Sequence, residues 1–228
     1  TVFGGCNHKI QFIPWVKDLH FDVAGCVDGL KKAPKGSLAI LQACAHNPTG
    51  IDPSDSEWDE ILEVAKQREH IVLFDFAYMG YASGDVNKDC QVVRKYAKSG
   101  MPFFVSFSFS KCMGLYGERI GSLHTITGSA KEAKAVSSQM GTVARGSYSV
   151  PPQHGALIVN EVLGDPKLKQ QWLSELKSIS KRIIDIRGTF VDLLNEKSGK
   201  DWEFIRKQRG MFALTGLSKS QVDYLSNE

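Results

Sequence analysis

The sequence predicts an α/β fold: a mostly parallel sheet with flanking helices, followed by part of a smaller α/β domain. Three observations predict it. Apolar runs of strand length alternate with segments whose apolar residues recur at helical spacing. Polar clusters and turn signals follow those runs. From residue 129 onward the texture turns helical, and one helix of about 30 residues is long enough, at roughly 45 Å, to join two domains.

Each element rests on its local pattern. Residues 37–44 (SLAILQAC) form an apolar run of strand length, closed by the turn Asn47-Pro48-Thr49-Gly50. Ser54 and Glu57 have capping-box spacing, and Trp58, Ile61, Leu62 and Ala65 follow at helical spacing, so a helix is expected there. Residues 70–74 read as a second buried strand, ending at Asp75. Residues 86–99 are expected to be one helix with Val92, Val93 and Tyr96 on one face. Residues 102–106 (PFFVS) and 120–126 supply the third and fourth strands. Helices are then expected at 129–145, at 153–163 after the Pro151-Pro152 break, and at 167–196. The last of these carries Leu173, Leu176, Ile179, Ile183, Ile186 and Phe190 as its apolar positions. A strand at 211–217 and an amphipathic helix from 218 close the chain. The expected division is 1–165 as a large domain, 166–198 as a connecting helix and 199–228 as the start of a small domain. The chain opens on Thr1, and its final helical pattern stops short, so a fragment lacking both ends is expected.

Composition narrows the function classes. Of 228 residues, 42% are hydrophobic and 23% charged, the balance of a globular protein. No run approaches the ~18 apolar residues of a membrane-spanning helix. A formal net charge of +3 argues against nucleic acid as the main partner. The five cysteines, Cys6, Cys26, Cys44, Cys90 and Cys112, are scattered, odd in number and without a CxxC pair. That excludes a disulfide scaffold or a zinc site and fits a reducing compartment. No metal site is expected, and no GxGxxG follows a strand, which argues against a dinucleotide-binding domain.

The chemistry gathers after the strands, where open α/β sheets bind ligands. Lys111 follows an apolar strand amid small and aromatic residues. A lysine held at a sheet end can lose its proton and attack a carbonyl, although most lysines are solvated surface groups. Ser108, Ser110 and Arg119 lie within eleven positions and offer hydroxyls and a guanidinium fork to a phosphate. Lysine with a phosphate grip is the layout expected for pyridoxal phosphate. Asp75 reads either as a turn residue or as the carboxylate that keeps a pyridinium nitrogen protonated. Tyr78 and Asn47 are placed for the ring's phenolic oxygen, and Asn47 alone also reads as an Asn-Pro turn.

AHNPTG at 45–50, DFAYMGYASGD at 75–85 and SFSKCMGLYGERIG at 108–121 resemble the aspartate aminotransferases, fold type I pyridoxal-phosphate enzymes. SQM at 138–140, Arg145, YSVPPQHGA at 148–156 and RGMFALTGL at 209–217 follow in the family's order. The resemblance implies that Lys111 holds the cofactor and moves the substrate's Cα proton. It implies Asp75 as pyridinium partner, Tyr78 and Asn47 at the phenolic oxygen, and Ser108, Ser110 and Arg119 at the phosphate. His8 is implied as the support behind Asp75, and Arg145 as the arginine that reaches a partner's site to bind the distal carboxylate. It further implies a homodimer with shared active sites, dicarboxylic amino and oxo acids as ligands, and transamination between aspartate and 2-oxoglutarate.

The sequence departs from the pattern where Gly5 replaces the family's stacking tryptophan and Val150 an asparagine. An aromatic or broader-specificity aminotransferase of the same fold is the first alternative, and a non-catalytic paralogue with a binding role the second. The expected location is cytoplasmic, with the mitochondrial forms of the family sharing the same motifs.

Overall fold

The computed structural model describes residues 2–227. Its elements run α1 (Val2–Gly5), β1 (Val16–Lys17), β2 (His20–Phe21), α2 (Val23–Lys32), β3 (Leu38–Gln42), α3 (Asp55–Gln67) and β4 (Ile71–Phe76). Then come α4 (Val86–Asp89), α5 (Gln91–Ala97), β5 (Phe103–Ser108), α6 (Phe109–Cys112) and β6 (Gly121–Ile126). The helices α7 (Ala130–Tyr148), α8 (His154–Gly164), α9 (Pro166–Ser198), α10 (Glu203–Arg206) and α11 (Lys219–Asn227) complete the order. Among the described residues, no helix is long and apolar enough to cross a membrane.

The four expected strands form one sheet in the order β3-β4-β5-β6. The first three are parallel, and β6 runs antiparallel to β5. A parallel return has to carry the chain back to the opposite end of the sheet, usually through a full helix. Between β5 and β6 there is only the short α6 and a turn, so β6 doubles back. Alternation along the strands sends Ala39, Leu41, Val72, Phe74, Phe76, Phe103 and Val105 to one buried face. That face packs on Cys26 and Leu30 of α2, on Trp58, Ile61 and Leu62 of α3 and on Val92 and Tyr96 of α5. Phe74 sits at its centre, edge-on to Trp58, Tyr96 and Phe103 at 5.8–6.2 Å. The other face carries Leu38, Ile40 and Ile71, all more than 40% exposed, so β3 and β4 are buried on one side and not both.

Local rules explain the well-placed helices. Ser54 accepts from the Glu57 N–H while the Glu57 carboxylate accepts from the Ser54 N–H, a complete capping box. Asp165 caps α9 through the Lys167 and Leu168 N–H groups, Pro166 fills its first turn, and Gly199 ends it in the left-handed conformation at φ +62.

Three expectations are corrected. Residues 86–99 form two helices, broken at Cys90, because the Asp89 carboxylate turns inward to the 80–83 loop. On α9 the buried positions are Leu176, Ser180, Arg187 and Val191, while Ile179, Ile186 and Phe190 are exposed. The buried stripe includes two polar residues because each finds a partner: Ser180 donates to the Tyr81 carbonyl, and the Arg187 guanidinium donates to the carbonyls of Gln208 and Gly210. Residues 211–217 form no strand, since their main chain pairs elsewhere. The Leu214 N–H donates to the Gln208 side chain at 2.7 Å and to the Thr49 carbonyl at 3.2 Å.

Arg187 therefore ties α9 to the 208–212 segment, and that segment leans on the turn at 47–50. The Arg209 N–H donates to the Gly50 carbonyl at 2.7 Å. Gly50 has φ +67, and a side chain there would meet the Phe212 carbonyl at 2.6 Å. Arg187→Met keeps the apolar stem but leaves buried carbonyls unpaired. It should cost about 3 kcal/mol in denaturant unfolding and open the 208–214 segment to protease. An unchanged midpoint with unchanged proteolysis would remove this role from Arg187.

Candidate active site

The carboxyl ends of β3, β4 and β5 converge on one cluster. Asp75 is the penultimate residue of β4, paired in register with Gln42 of β3 and Ser106 of β5. Its half-buried carboxyl is pushed above the usual carboxylate range by burial, and the Lys111 charge opposes that shift. Lys111 lies in the single turn after β5, with Nζ 5.0 Å from the centre of the Tyr78 ring, a cation-π distance. Tyr78 is buried at 7% exposure, and its hydroxyl accepts from Asn47 Nδ2 at 3.0 Å. Burial raises the Tyr78 phenol further above its ordinary range than the Asn47 bond lowers it, so the hydroxyl keeps its proton as a donor. The edge of Phe212 meets this ring at 5.7 Å.

Four of the expected residues are thus drawn together: Asn47, Asp75, Tyr78 and Lys111. The phosphate candidates form a neighbouring group. Ser108 caps α6, its Oγ accepting from the Ser110 N–H at 3.2 Å, and Ser110 is buried. The antiparallel return of β6 pairs Gly121 with Ser108, which brings Arg119 back beside this turn. Arg119 has φ +50 and donates to the Tyr116 carbonyl at 3.4 Å, its side chain exposed. His8 is exposed after α1 and makes no hydrogen bond to Asp75. Arg145 is also exposed, on α7, where Nη1 donates to Ser149 Oγ at 2.9 Å.

A supporting ring of residues escaped the sequence reading. The Tyr81 hydroxyl donates to the Lys111 carbonyl at 2.9 Å, and Trp172 Nε1 to the Cys112 carbonyl at 2.6 Å. Buried Asp89 accepts from the Gly80 and Ala82 N–H groups and from Ser83 Oγ, fixing the loop after Tyr78. Asp52 accepts from the Ala45 and His46 N–H groups at 2.7 and 2.8 Å, fixing the loop before Asn47. Burial pushes both carboxyls up, against the pull of those same hydrogen bonds. A carboxylate six to nine residues beyond the loop positions it binds is the signal for such a clasp. Long-range partners such as Trp172 leave no local signal.

His46 stacks on Trp15 at 4.5 Å and 15°. Burial lowers its pKa to about 4, so the ring is neutral at physiological pH. Thr49 Oγ1 accepts from the Ile51 N–H and shares a hydrogen bond of 2.8 Å with His46 Nδ1.

A lysine, an aspartate and a tyrosine at the carboxyl ends of a mostly parallel sheet accord with the family comparison. The chain belongs to the family described as aminotransferase class I and II, whose model matches residues 1–228. It is similar to the chloroplastic aspartate aminotransferase of Arabidopsis thaliana, 44% identical over 97% of this chain and 52% of that protein. The structure of a mitochondrial aspartate aminotransferase from Trypanosoma brucei superposes with a TM-score of 0.94 at 40% identity, covering 98% of this chain and 60% of the other. An aromatic-amino-acid aminotransferase from Burkholderia pseudomallei, covalently bound to pyridoxal phosphate, superposes at 0.97 with 38% identity, over 100% and 57% of the two chains. The chain spans about half the length of the curated relatives it matches.

The His46 pKa fixes a sign. A folded-state value of about 4 lies below the ordinary 6.5, so the folded state disfavours the charged ring. The stability this contributes is present above about pH 6.5 and is lost as pH falls toward 4. The urea midpoint of wild type relative to His46→Gln should therefore drop between pH 7.5 and pH 4.5. An equal difference at both pH values would contradict the neutral, buried ring.

Proposed function

We propose that this chain forms part of a pyridoxal-phosphate-dependent aminotransferase that moves an amino group between L-aspartate and 2-oxoglutarate, giving oxaloacetate and L-glutamate. The observation that carries the reading is Lys111 Nζ beside the Tyr78 ring, with Asp75 as its charge partner. The donor set suits the cofactor's chemistry at each end. Asp75 offers a carboxylate to a ring nitrogen, Asn47 and Tyr78 offer donors to a phenolic oxygen, and Ser108, Ser110 and Arg119 would hold the phosphate. Support of Asp75 by His8 rests on the sequence motif alone. When bound, pyridoxal phosphate supplies an electron sink for the carbanion left when a Cα–H bond breaks.

The chain's own residues do the rest. The Lys111 amine would be the group that holds the cofactor, and as a free amine it would take and return the substrate's Cα proton. Asp75, when charged, holds a proton on the ring nitrogen. The Lys111 charge already opposes the burial that raises the Asp75 pKa, and a protonated ring nitrogen beside it would oppose it further. Tyr78 and Asn47 orient the ring against Lys111. Tyr81, through the Lys111 carbonyl, keeps the lysine's backbone in place.

Arg145 is read as the arginine that binds the substrate's distal carboxylate in a partner's site, within a homodimer. Supporting this, α7 has no buried residue among those described, and Met140, Val143 and Tyr148 stand exposed around Arg145. The domain division at 165 and 198, with α9 as the connection, belongs to the same proposal. So does a cytoplasmic location, which the scattered cysteines favour. The relatives themselves include proteins named for the chloroplast, the mitochondrion and the cytoplasm.

Donor range separates this reading from an aromatic aminotransferase. With 2-oxoglutarate as acceptor, aspartate should outperform phenylalanine. Lys111→Ala should lower turnover by roughly 10²- to 10⁴-fold for the lost proton transfer alone. Arg145→Ala should raise KM for aspartate by roughly 10- to 100-fold while leaving phenylalanine little changed, because a charge-assisted pair is lost. Equal loss for both donors would remove Arg145 from the specificity site, and a preference for phenylalanine in wild type would favour the aromatic reading.

A further inference from the structure

We propose that Gln42 is a positioning residue of this site, which holds Asn47 in place while keeping the space beside Asp75 free of a second negative charge. The proposal rests on the cofactor reading above and deepens it.

Gln42 ends β3, and parallel register makes it the direct neighbour of Asp75 in β4. Paired residues of a ladder point to the same face, so both side chains emerge on the site's side of the sheet. The Gln42 amide uses both of its ends on one residue. Nε2 donates to the Asn47 carbonyl at 2.9 Å, and Oε1 accepts from the Asn47 N–H at 2.8 Å. The reverse orientation would set donor against donor, so the pair of bonds fixes the amide. Between the two residues the chain bulges through Ala45, which sits at φ +52, a conformation alanine rarely adopts. Asp52 pins the middle of that bulge, at the Ala45 and His46 N–H groups. Gln42 pins its far end. With its main chain held there, Asn47 extends Nδ2 to the Tyr78 hydroxyl at 3.0 Å.

The choice of an amide follows from the charges. A carboxylate at 42 would still accept from the Asn47 N–H but would face the Asn47 carbonyl with no proton to give. It would also set a second anion beside Asp75, whose carboxyl is already raised by burial against the pull of the Lys111 charge. A neutral group with one donor and one acceptor meets both requirements.

Gln42→Ala and Gln42→Glu test this by two measurements. Amide hydrogen exchange in cofactor-free protein reads the clasp: the Asn47 N–H should exchange roughly tenfold faster in Gln42→Ala, while the His46 N–H, held by Asp52, stays at its wild-type rate. The second readout is the pH titration of the visible band of bound pyridoxal phosphate. Donors to the phenolic oxygen favour its anionic form, so a loosened Asn47 should raise the midpoint by about half a pH unit in Gln42→Ala. Gln42→Glu should raise it further through its added charge. A wild-type band whose midpoint is the same in both variants overturns the role of Gln42 alone. Unchanged Asn47 exchange overturns the route through Asn47. Wild-type protein that develops no visible band with pyridoxal phosphate overturns the cofactor reading, and this role with it.

Discussion

The parallel register of β4 with its two neighbours is the constraint on which the site depends. It sets Gln42, Asp75 and Ser106 in one row across the sheet, close to the ends of all three strands. From that row the chain leaves in three short excursions, each of which returns one polar group to the same place. The turn after β3 returns Asn47, the turn after β4 returns Tyr78, and the helical turn after β5 returns Lys111. A slip of one residue in β4 would turn Phe74 out of the core and send Asp75 in against Trp58, Phe103 and Tyr96. The aromatic cluster on that face resists the slip, so packing on one side of the sheet guards the chemistry on the other.

The excursions are irregular, and their backbone polar groups need partners that no ladder supplies. Buried carboxylates supply them. Asp52 serves the loop before Asn47 and Asp89 the loop after Tyr78. Both are uncharged partners' anchors held at a cost, since burial raises each carboxyl. The same cost appears at Asp75, with Lys111 opposing it. The difference is that, among the described residues, no backbone N–H donates to the Asp75 carboxylate, which leaves its oxygens to a ligand. From the far side, Arg187 on α9 locks the 208–212 segment, and Phe212 closes on the Tyr78 ring. The long helix thereby reaches the site through the Arg187 guanidinium, as it does through Trp172 at the Cys112 carbonyl and Ser180 at the Tyr81 carbonyl.

Much of this was legible in the sequence because it is local. The capping box at Ser54 and Glu57, the alternating elements and the residues just after each strand depend on neighbours a few positions apart. Asn47, Asp75, Tyr78 and Lys111 were marked by position after apolar runs, and the fold gathers them. What could not be read depends on distant partners. The apolar spacing of α9 suggested the wrong stripe, because Ser180 and Arg187 are buried by hydrogen bonds to Tyr81 and to residues 208–210. Residues 211–217 have the composition of a strand, yet the Gln208 side chain takes their main-chain bonds. Gln42 lies inside the apolar run 37–44, and nothing local shows that it spans the bulge to Asn47. The short β1–β2 hairpin and α2 passed unassigned for the same reason: Trp15, which anchors them, bonds to the Ile51 carbonyl 36 residues away.

The central claim is that one lysine, at the end of β5, is the group that binds the cofactor. Borohydride reduction of the protein loaded with pyridoxal phosphate, followed by peptide mapping, tests it most directly. The label is expected on Lys111, in the peptide that follows PFFVSFSFS, and its yield should fall in Asp75→Ala, which removes the neighbouring charge. A label on any other lysine, or spread evenly over the surface lysines, would contradict the account.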